Sequence, residues 1–426
     1  MTPQIRELGD SHNFGRRVSA QDGRIHKPRT VFWEWLLLSA ESPLRKQLDC
    51  IAKADSGRVG FDFLPNVHVE RSSAKEIGSS DADEKGVRRQ TPTGPLGKEG
   101  VVDHVSLQPL RIRGAEDRRR LAEAAGRAIA LFSWLGLGDL HWENLALGSS
   151  PKSPIQLVPL DIELMLDDHA LPTHTRLLPE ADPDYAALYQ HACGIRRILP
   201  FLGKPVAVPD LVAMVAAYHR TLASLDQHSE AIAKAILTLP DLPEPPLRVC
   251  LRSTGDYLRR DGKMHPPLLA AEKEQLDRGD IPYFFRLYGR PGIHYFADAA
   301  LTTCHRIPAR GDVPQLAPLL SLAKGLRSAN RRTLREQGLF CLLAAFDHPT
   351  FSGEHAHGDI HVRFAARRLV VRIDGEDELD TRRDLHDFVS SVYQPCRCGE
   401  VASPLVPKVT RCQAMPEPRS HRRAGG

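Results

Sequence analysis

Gly138-Asp139-Leu140-His141-Trp142-Glu143-Asn144 sets a carboxylate, an imidazole and an amide on one short turn. Pro159-Leu160-Asp161-Ile162-Glu163 adds two more carboxylates just beyond an apolar run. These residue types suit phosphoryl transfer. Asp139 can accept the proton of an attacking hydroxyl. Asn144 and Asp161 offer hard oxygen ligands to Mg²⁺, which prefers carboxylates, phosphates and water. Glu163 belongs to the same nucleotide-side set. His141 either joins the chemistry or bonds the turn backbone as a structural histidine. Lys27 precedes the turn in the chain and would neutralise nucleotide phosphates.

The elements that must carry these residues follow from pattern. Residues 9–15 read as a polar turn, and 18–29 as a strand pair around Asp22-Gly23 that delivers Lys27. Residues 33–38 and 44–52 have helical spacing. Residues 70–100 are polar and punctuated by Gly and Pro, and read as a mobile loop. The clearest helix covers 117–135, where Leu121, Ala124, Ala128, Leu131 and Phe132 recur on one face and lead into the Asp139 turn. Residues 155–160 form a short buried strand ending at Asp161. Helices are predicted over 185–202, 211–225, 229–239 and 316–345. One or two strands are predicted over 361–373, and a disordered Pro/Arg-rich tail from 395.

The order Lys27, Asp139, Asn144, Asp161 is that of kinase-like folds. The Asp-to-Asn spacing matches the protein-kinase catalytic loop, although Leu137-Gly138 stands where that loop has His-Arg. Taken alone, this set fits a small-molecule phosphotransferase or a peptide-modifying kinase equally well.

Composition narrows the classes. The chain has 426 residues, enough for two or three units, with a net charge of +4 that makes no case for nucleic acid. The Arg118-Arg119-Arg120 run reads as a solvated helix face. No stretch has the length and apolarity of a membrane span. Residues 1–10 lack the apolar core of a signal peptide. Eight scattered Cys fit a reduced cytoplasm better than a disulfide framework.

Five segments, in order, resemble the dehydratase domain of class II lanthionine synthetases. Gly9-Asp10-Ser11-His12-Asn13-Phe14-Gly15 is similar to the family's Gly-Asp-Pro-His-Asn-Gly-Gly, and His26-Lys27-Pro28-Arg29 to its Tyr-Lys-Pro-Arg. Asp139 to Asn144, with Asp161-Ile162-Glu163, is similar to its kinase-like centre. Arg248-Val-Cys-Leu-Arg252-Ser-Thr254-Gly-Asp-Tyr257 is similar to its Arg-x-x-x-Arg-x-Thr-x-x-Tyr, and Gly279-Asp280-Ile281-Pro282-Tyr283-Phe284 to its Gly-Asp-Ile-Pro-Tyr-Phe. The resemblance spans about residues 9–290.

The resemblance implies a chemistry in two halves. ATP converts a Ser or Thr hydroxyl of a ribosomally made precursor peptide into a phosphoester, and β-elimination of phosphate then leaves dehydroalanine or dehydrobutyrine. Lys27, Asp139, His141, Asn144, Asp161 and Glu163 would serve the first half, with ATP and Mg²⁺. Arg248, Thr254, Asp10 and His12 would serve the second, Arg248 gripping phosphate through its guanidinium fork.

The implied fold is α+β, a kinase-like bilobal core with appended helical and β elements. Its parts would be a small lobe over 1–110, a large lobe over 111–240, an elimination region over 241–394 and a tail over 395–426. The family's N-terminal helical region and C-terminal zinc cyclase have no counterpart here, so a separate cyclase becomes a possible partner. No zinc site is expected from Cys396, Cys398, Cys412 and His421, nor from His355, His357, Asp359 and His361. The alternatives are a kinase-like phosphotransferase without elimination and a non-catalytic relative that partners a full synthetase.

Overall fold

The Asp22-Gly23 turn closes as its sequence predicts. Both residues take positive φ, 50° and 73°, the backbone of a two-residue hairpin whose twist matches its strands. It joins β2 (Arg16–Gln21) to β3 (Arg24–Lys27). The computed structural model describes residues 6–55, 59–71, 100–166, 172–178, 193–203, 206–242, 244–252, 254–258, 268–288, 290–307, 334, 338, 353–357, 360–365, 368–373 and 376–381. Within it the hairpin lies in a five-stranded antiparallel sheet of order β1-β2-β3-β5-β4. The other strands are β1 (Arg6–His12), β4 (Val69–Arg71) and β5 (Gly100–Asp103).

Two expectations change in this sheet. Residues 9–12 are not turn but the end of β1, because ladder pairing with β2 outweighs their turn composition. The turn proper is Asn13-Phe14-Gly15, with successive φ of 49°, 68° and 78°. The 70–100 loop also starts and ends in strand, with Arg71 opposite Gly100. Residues 72–99 lie outside the described residues.

Helices α1 (Phe32–Leu38) and α2 (Pro43–Ala54) follow β3. Ser42 separates them as a cap: its Oγ accepts from Arg45 N at 3.0 Å and donates to Leu36 O at 2.6 Å, while Pro43 occupies the first turn where no N–H is needed. Helix α3 (Ala115–Trp134) matches its expected position. The hairpin of β6 (Leu145–Ser150) and β7 (Ser153–Pro159) comes next. Of the helix expected over 185–202, residues 185–192 lie outside the described residues. The remainder is a 3₁₀ turn at Gly194–Arg197 and the short α4 (Leu199–Leu202). Helices α5 (Val208–Gln227) and α6 (Ser229–Leu237) follow.

α3 and α5 cross with their backbones in contact. A Cβ on Gly126 would fall 2.2 Å from Met214 O and 3.1 Å from Tyr218 N. Glycine in a helix interior costs about 1 kcal/mol relative to Ala, so the close approach explains its use here. Gly126→Ala is expected to lower stability by about 1–3 kcal/mol, read as a fall in the urea midpoint with unchanged slope. The Arg run on α3 is only partly solvated, since Arg118 reaches Asp210 of α5 at 3.3 Å.

A second antiparallel sheet has the order β11-β10-β9-β8. Its strands are β8 (Leu247–Val249), β9 (Phe284–Leu287), β10 (Arg290–Phe296) and β11 (Cys304–Arg306). Helices α7 (Thr254–Tyr257) and α8 (Ala270–Asp277) lie between β8 and β9 in the chain. β9 is buried on both faces, as a central strand should be. Phe285 and Leu287 pack with Tyr283, Phe296 and Leu301, whereas Phe284 packs with Val249, Ile293 and Tyr295.

A third sheet, β12 (Gly353–His357), β13 (Ile360–Ala365), β14 (Arg368–Ile373) and β15 (Glu376–Thr381), includes the strands expected over 361–373. Of the helix expected over 316–345 only Leu334 and Gly338 are described, and the tail from 395 lies outside the described residues. The described architecture is therefore mixed α and β, with several helices and open sheets and no barrel. Among the described residues no helix is long and apolar enough to cross a membrane.

Candidate functional site

β3 ends at Lys27, and α1 begins five residues later, so the intervening turn brings Glu34 back over the strand end. Lys27 Nζ donates to Glu34 Oε1 at 2.8 Å, to Asp161 Oδ1 at 2.8 Å and to Leu160 O at 2.9 Å. Arg29 reinforces both carboxylates. Its NH2 bonds Glu34 Oε1 at 2.6 Å and also Asp161 Oδ1. Glu34 is 1% exposed, a burial at which a carboxylate stays ionised only with cationic or hydrogen-bonding partners. Burial pushes its carboxyl upward, but Arg29 and then Lys27 overcome this and hold it below the usual range. Asp161 follows the same logic: burial opposes ionisation, yet Lys27 and Arg29 hold its carboxyl far below the usual range.

The chain continues from Arg29 to a third carboxylate. Arg29 Nε lies 2.5 Å from Glu163 Oε1, and Glu163 Oε2 takes Arg248 NH1 at 2.6 Å. Backbone pairing fixes this link, because Arg248 N donates to Glu163 O at 3.0 Å, docking β8 against the segment after β7. The Arg248 guanidinium also lies over the Tyr283 ring, 5.3 Å from its centroid. Burial works against the Arg248 cation, but Glu163 more than compensates and raises its pKa. Three cations and three carboxylates thus form one balanced, connected cluster: Lys27, Arg29 and Arg248 with Glu34, Asp161 and Glu163.

His12 approaches from β1. Its Nδ1 lies 2.9 Å from Ile281 O, so Nδ1 carries the proton and donates. Burial first, and then the Arg248 charge, lower the His12 pKa. The ring is therefore neutral at neutral pH, with Nε2 as its lone-pair nitrogen. Asp280 anchors the neighbouring turn. Its buried carboxylate accepts from Ser11 Oγ at 3.0 Å, Phe14 N at 2.7 Å and Gly15 N at 2.9 Å. These bonds explain why the left-handed 13–15 turn holds, and why the two Gly-Asp segments of the sequence go together. Asp10 is exposed, and its charge acts on His12.

The Asp139 turn faces the same region. Asp139 has φ 60°, a left-handed backbone that Asp adopts more readily than most residues. Asn144 Nδ2 donates to Asp139 O at 3.0 Å and Oδ2 at 3.4 Å, which leaves the Asn144 amide oxygen for a cation. Arg176 NH1 donates to Asp139 Oδ1 at 2.8 Å. Leu160 N donates to Asn144 O at 2.9 Å, placing Asn144 across from the residue before Asp161. His141 Nδ1 accepts from Glu143 N at 3.3 Å, and His141 forms an isolated bridge with Cys193. The bond to Glu143 is the local structural contact foreseen as its alternative role. Cys250 lies two residues beyond Arg248, within reach of charges from both segments. Burial raises its thiol pKa, while the charges of Arg248, Asp139, Arg176 and Glu163 all act on it.

Of the sequence-predicted residues, ion pairs join Lys27, Asp161, Glu163 and Arg248, His12 feels the charges of Arg248, Glu163 and Asp10, and Asn144 bonds both Asp139 and the backbone beside Asp161, while His141 shows only its contacts with Glu143 and Cys193. Thr254 starts α7 six residues after Arg248, half-buried; none of the contacts described here joins its side chain to the cluster. Arg252 turns away to Glu272, at 2.8 Å, which also accepts from Tyr257 OH. Sequence reasoning missed Glu34 and the bridging role of Arg29. The signal for Glu34 was one carboxylate inside the apolar run Phe-Trp-Glu-Trp-Leu-Leu-Leu, seven residues after Lys27.

Mg²⁺ fits this donor set. Asp161 is 37% exposed and its cation partners both use Oδ1, so Oδ2 and the Asn144 oxygen remain for a metal that keeps phosphate and water ligands. Among the described residues no three His, Cys, Asp or Glu side chains form a metal-holding group by themselves. His355, His357 and His361 lie on β12 and β13, while Asp359, Cys396, Cys398, Cys412 and His421 lie outside the described residues. No family model and no curated protein matches this chain.

Proposed function

We propose that this chain is a dehydratase of the class II lanthionine synthetase type, built on a kinase-like bilobal core. It would phosphorylate Ser or Thr in a ribosomally made precursor peptide and then eliminate the phosphate. One observation carries the reading: the unbroken ion-pair chain Lys27–Asp161–Arg29–Glu163–Arg248. It joins residues suited to delivering a phosphoryl group to an arginine suited to receiving one. Lys27 on a strand, Glu34 on the next helix, the Asp139–Asn144 turn and Asp161 beyond a hairpin also follow the kinase order.

In the first half, Asp139 orients the substrate hydroxyl and takes its proton as the oxygen bonds the γ-phosphorus and ADP leaves. Arg176, paired with Asp139, and Lys27, paired with Asp161, supply positive charge for the phosphates. Mg²⁺, held by Asn144 and Asp161, would neutralise charge on the transferring group. In the second half, a base removes the Cα proton, the Cα=Cβ bond forms, and the Cβ–O bond breaks with phosphate leaving. Arg248 binds that phosphate, and His12 Nε2, kept neutral, is the base.

The test is incubation with a precursor peptide, ATP and Mg²⁺, read by mass spectrometry. Loss of one water per modified residue supports the reading. Phosphopeptide without water loss leaves a phosphotransferase only, and no mass change at all rejects both halves. The His12 role has its own signature. Elimination from a synthetic phosphopeptide should rise with pH through a limb below the ordinary imidazole value of about 6.5, because a base acts when deprotonated and burial lowers this pKa. A limb at or above that value would remove His12 as the base.

A further inference from the structure

Arg29 touches every carboxylate of the buried cluster. Its NH2 bonds Glu34 and Asp161, its NH1 lies 3.3 Å from Glu34 Oε2, and its Nε lies 2.5 Å from Glu163. The side chain is 11% exposed, so water contributes little to its charge balance. No other residue described here pairs with both Asp161 and Glu163. A lysine has one ammonium point and could not span the three carboxylates as a planar fork does.

We propose that Arg29 is a positioning residue that sets the two halves of the site against each other, an inference that rests on the dehydratase reading above. Bound to Oδ1, it draws Asp161 charge away from a metal ion at Oδ2, and it holds one oxygen of Glu163 so that Arg248 does not carry that carboxylate alone. When Asp161 turns to a cation, Arg29 shifts its pairing toward Glu163. Glu163 then needs Arg248 less, and the Arg248 guanidinium is freer to take the phosphoester.

Two substitutions read this balance in opposite directions. In Arg29→Gln, Asp161 loses a competitor, so Mn²⁺·nucleotide affinity measured by titration calorimetry should rise at least threefold. Glu163 is left to Arg248 alone, so elimination from a synthetic phosphopeptide should fall at least tenfold. Arg29→Lys restores the charge without the fork, and should return the metal affinity towards wild type while leaving elimination slow. A merely structural role would lower both quantities together in proportion to the folded fraction, which thermal unfolding measures independently.

Parallel losses in both assays, or unchanged elimination in Arg29→Gln beside an active wild type, would overturn the inference and leave the dehydratase reading standing. A wild-type protein that neither binds the metal nucleotide nor releases phosphate would overturn the reading, and the inference with it.

Discussion

Asp161→Asn is expected to suppress ATP-dependent phosphorylation of the precursor peptide by a factor on the order of 10²–10³, the usual effect of removing one preorganised charge contact to a transition state. The amide keeps the shape of the side chain and removes its charge. Lys27 and Arg29 then face Glu34 and Glu163 with Arg248 beside them, three cations against two carboxylates. A site with that surplus repels a divalent cation. The phosphates of ATP would still find Lys27, so nucleotide binding should weaken less than turnover. Titration with ATP in the presence and absence of Mg²⁺ separates the two: the variant should lose most of the Mg²⁺ dependence and retain part of the nucleotide affinity. Lys27 keeps Glu34, and Arg29 keeps Glu34 and Glu163, so both buried cations retain carboxylate partners and the chain should stay folded. Phosphorylation within tenfold of wild type in the variant would remove Asp161 from the metal site.

Residues that read clearly in the sequence are those whose partners are close in the chain or whose order is fixed. Asp139 and Asn144 lie five residues apart, and their side chains bond each other. The Asp22-Gly23 hairpin follows from two residues that accept positive φ. α3 follows from a 3.6-residue period that burial enforces. By contrast, the links that define the cluster are long-range. Arg248 meets Glu163 across 85 residues, and Arg29 meets Asp161 across 132. No local pattern encodes such a pairing, so Arg29 reads as an ordinary strand-end cation until the fold brings the carboxylates to it.

Glu34 shows the complementary failure. Helical spacing assigns it to a helix correctly, but a charged residue in a helix defaults to a solvent face. Here the helix is apolar nearly all round and its carboxylate points into a pair of cations. The 9–15 segment errs for another reason. Gly, Asp, Ser and Asn favour turns locally, but β1 pairs with β2 as far as His12, and Asp280 fixes the turn after it through Phe14 N and Gly15 N. Local preference is outweighed there by a ladder and by a buried carboxylate some 265 residues away in the chain.

Arg248→Ala should divide the reaction rather than abolish it. The residue has no bond to Lys27, Asp139 or Asn144 among its described contacts, and its carboxylate partner Glu163 keeps Arg29 at 2.5 Å. The nucleotide side therefore retains its charges, and phosphorylation should continue at near the wild-type rate. Elimination loses the guanidinium that would bind the leaving phosphate, a charge-assisted fork that Arg29, committed to Glu34, Asp161 and Glu163, does not replace, and should slow by a factor on the order of 10²–10³. Phosphopeptide then accumulates, visible as a gain of phosphate mass without loss of water. Arg248→Lys should recover only part of the loss, because an ammonium supplies charge without two parallel bonds. The same deletion acts on the base. After burial, the Arg248 charge is the main influence lowering the His12 pKa, while Glu163 and Asp10 act to raise it. Without Arg248 the imidazole becomes more basic, and the acid limb of the residual elimination should move to higher pH. The two effects would have one origin, a single cation that binds the departing phosphate and lowers the basicity of the proton acceptor. Unchanged water loss in Arg248→Ala would exclude Arg248 from phosphate release, and slowed elimination with an unmoved acid limb would separate His12 from the proton transfer.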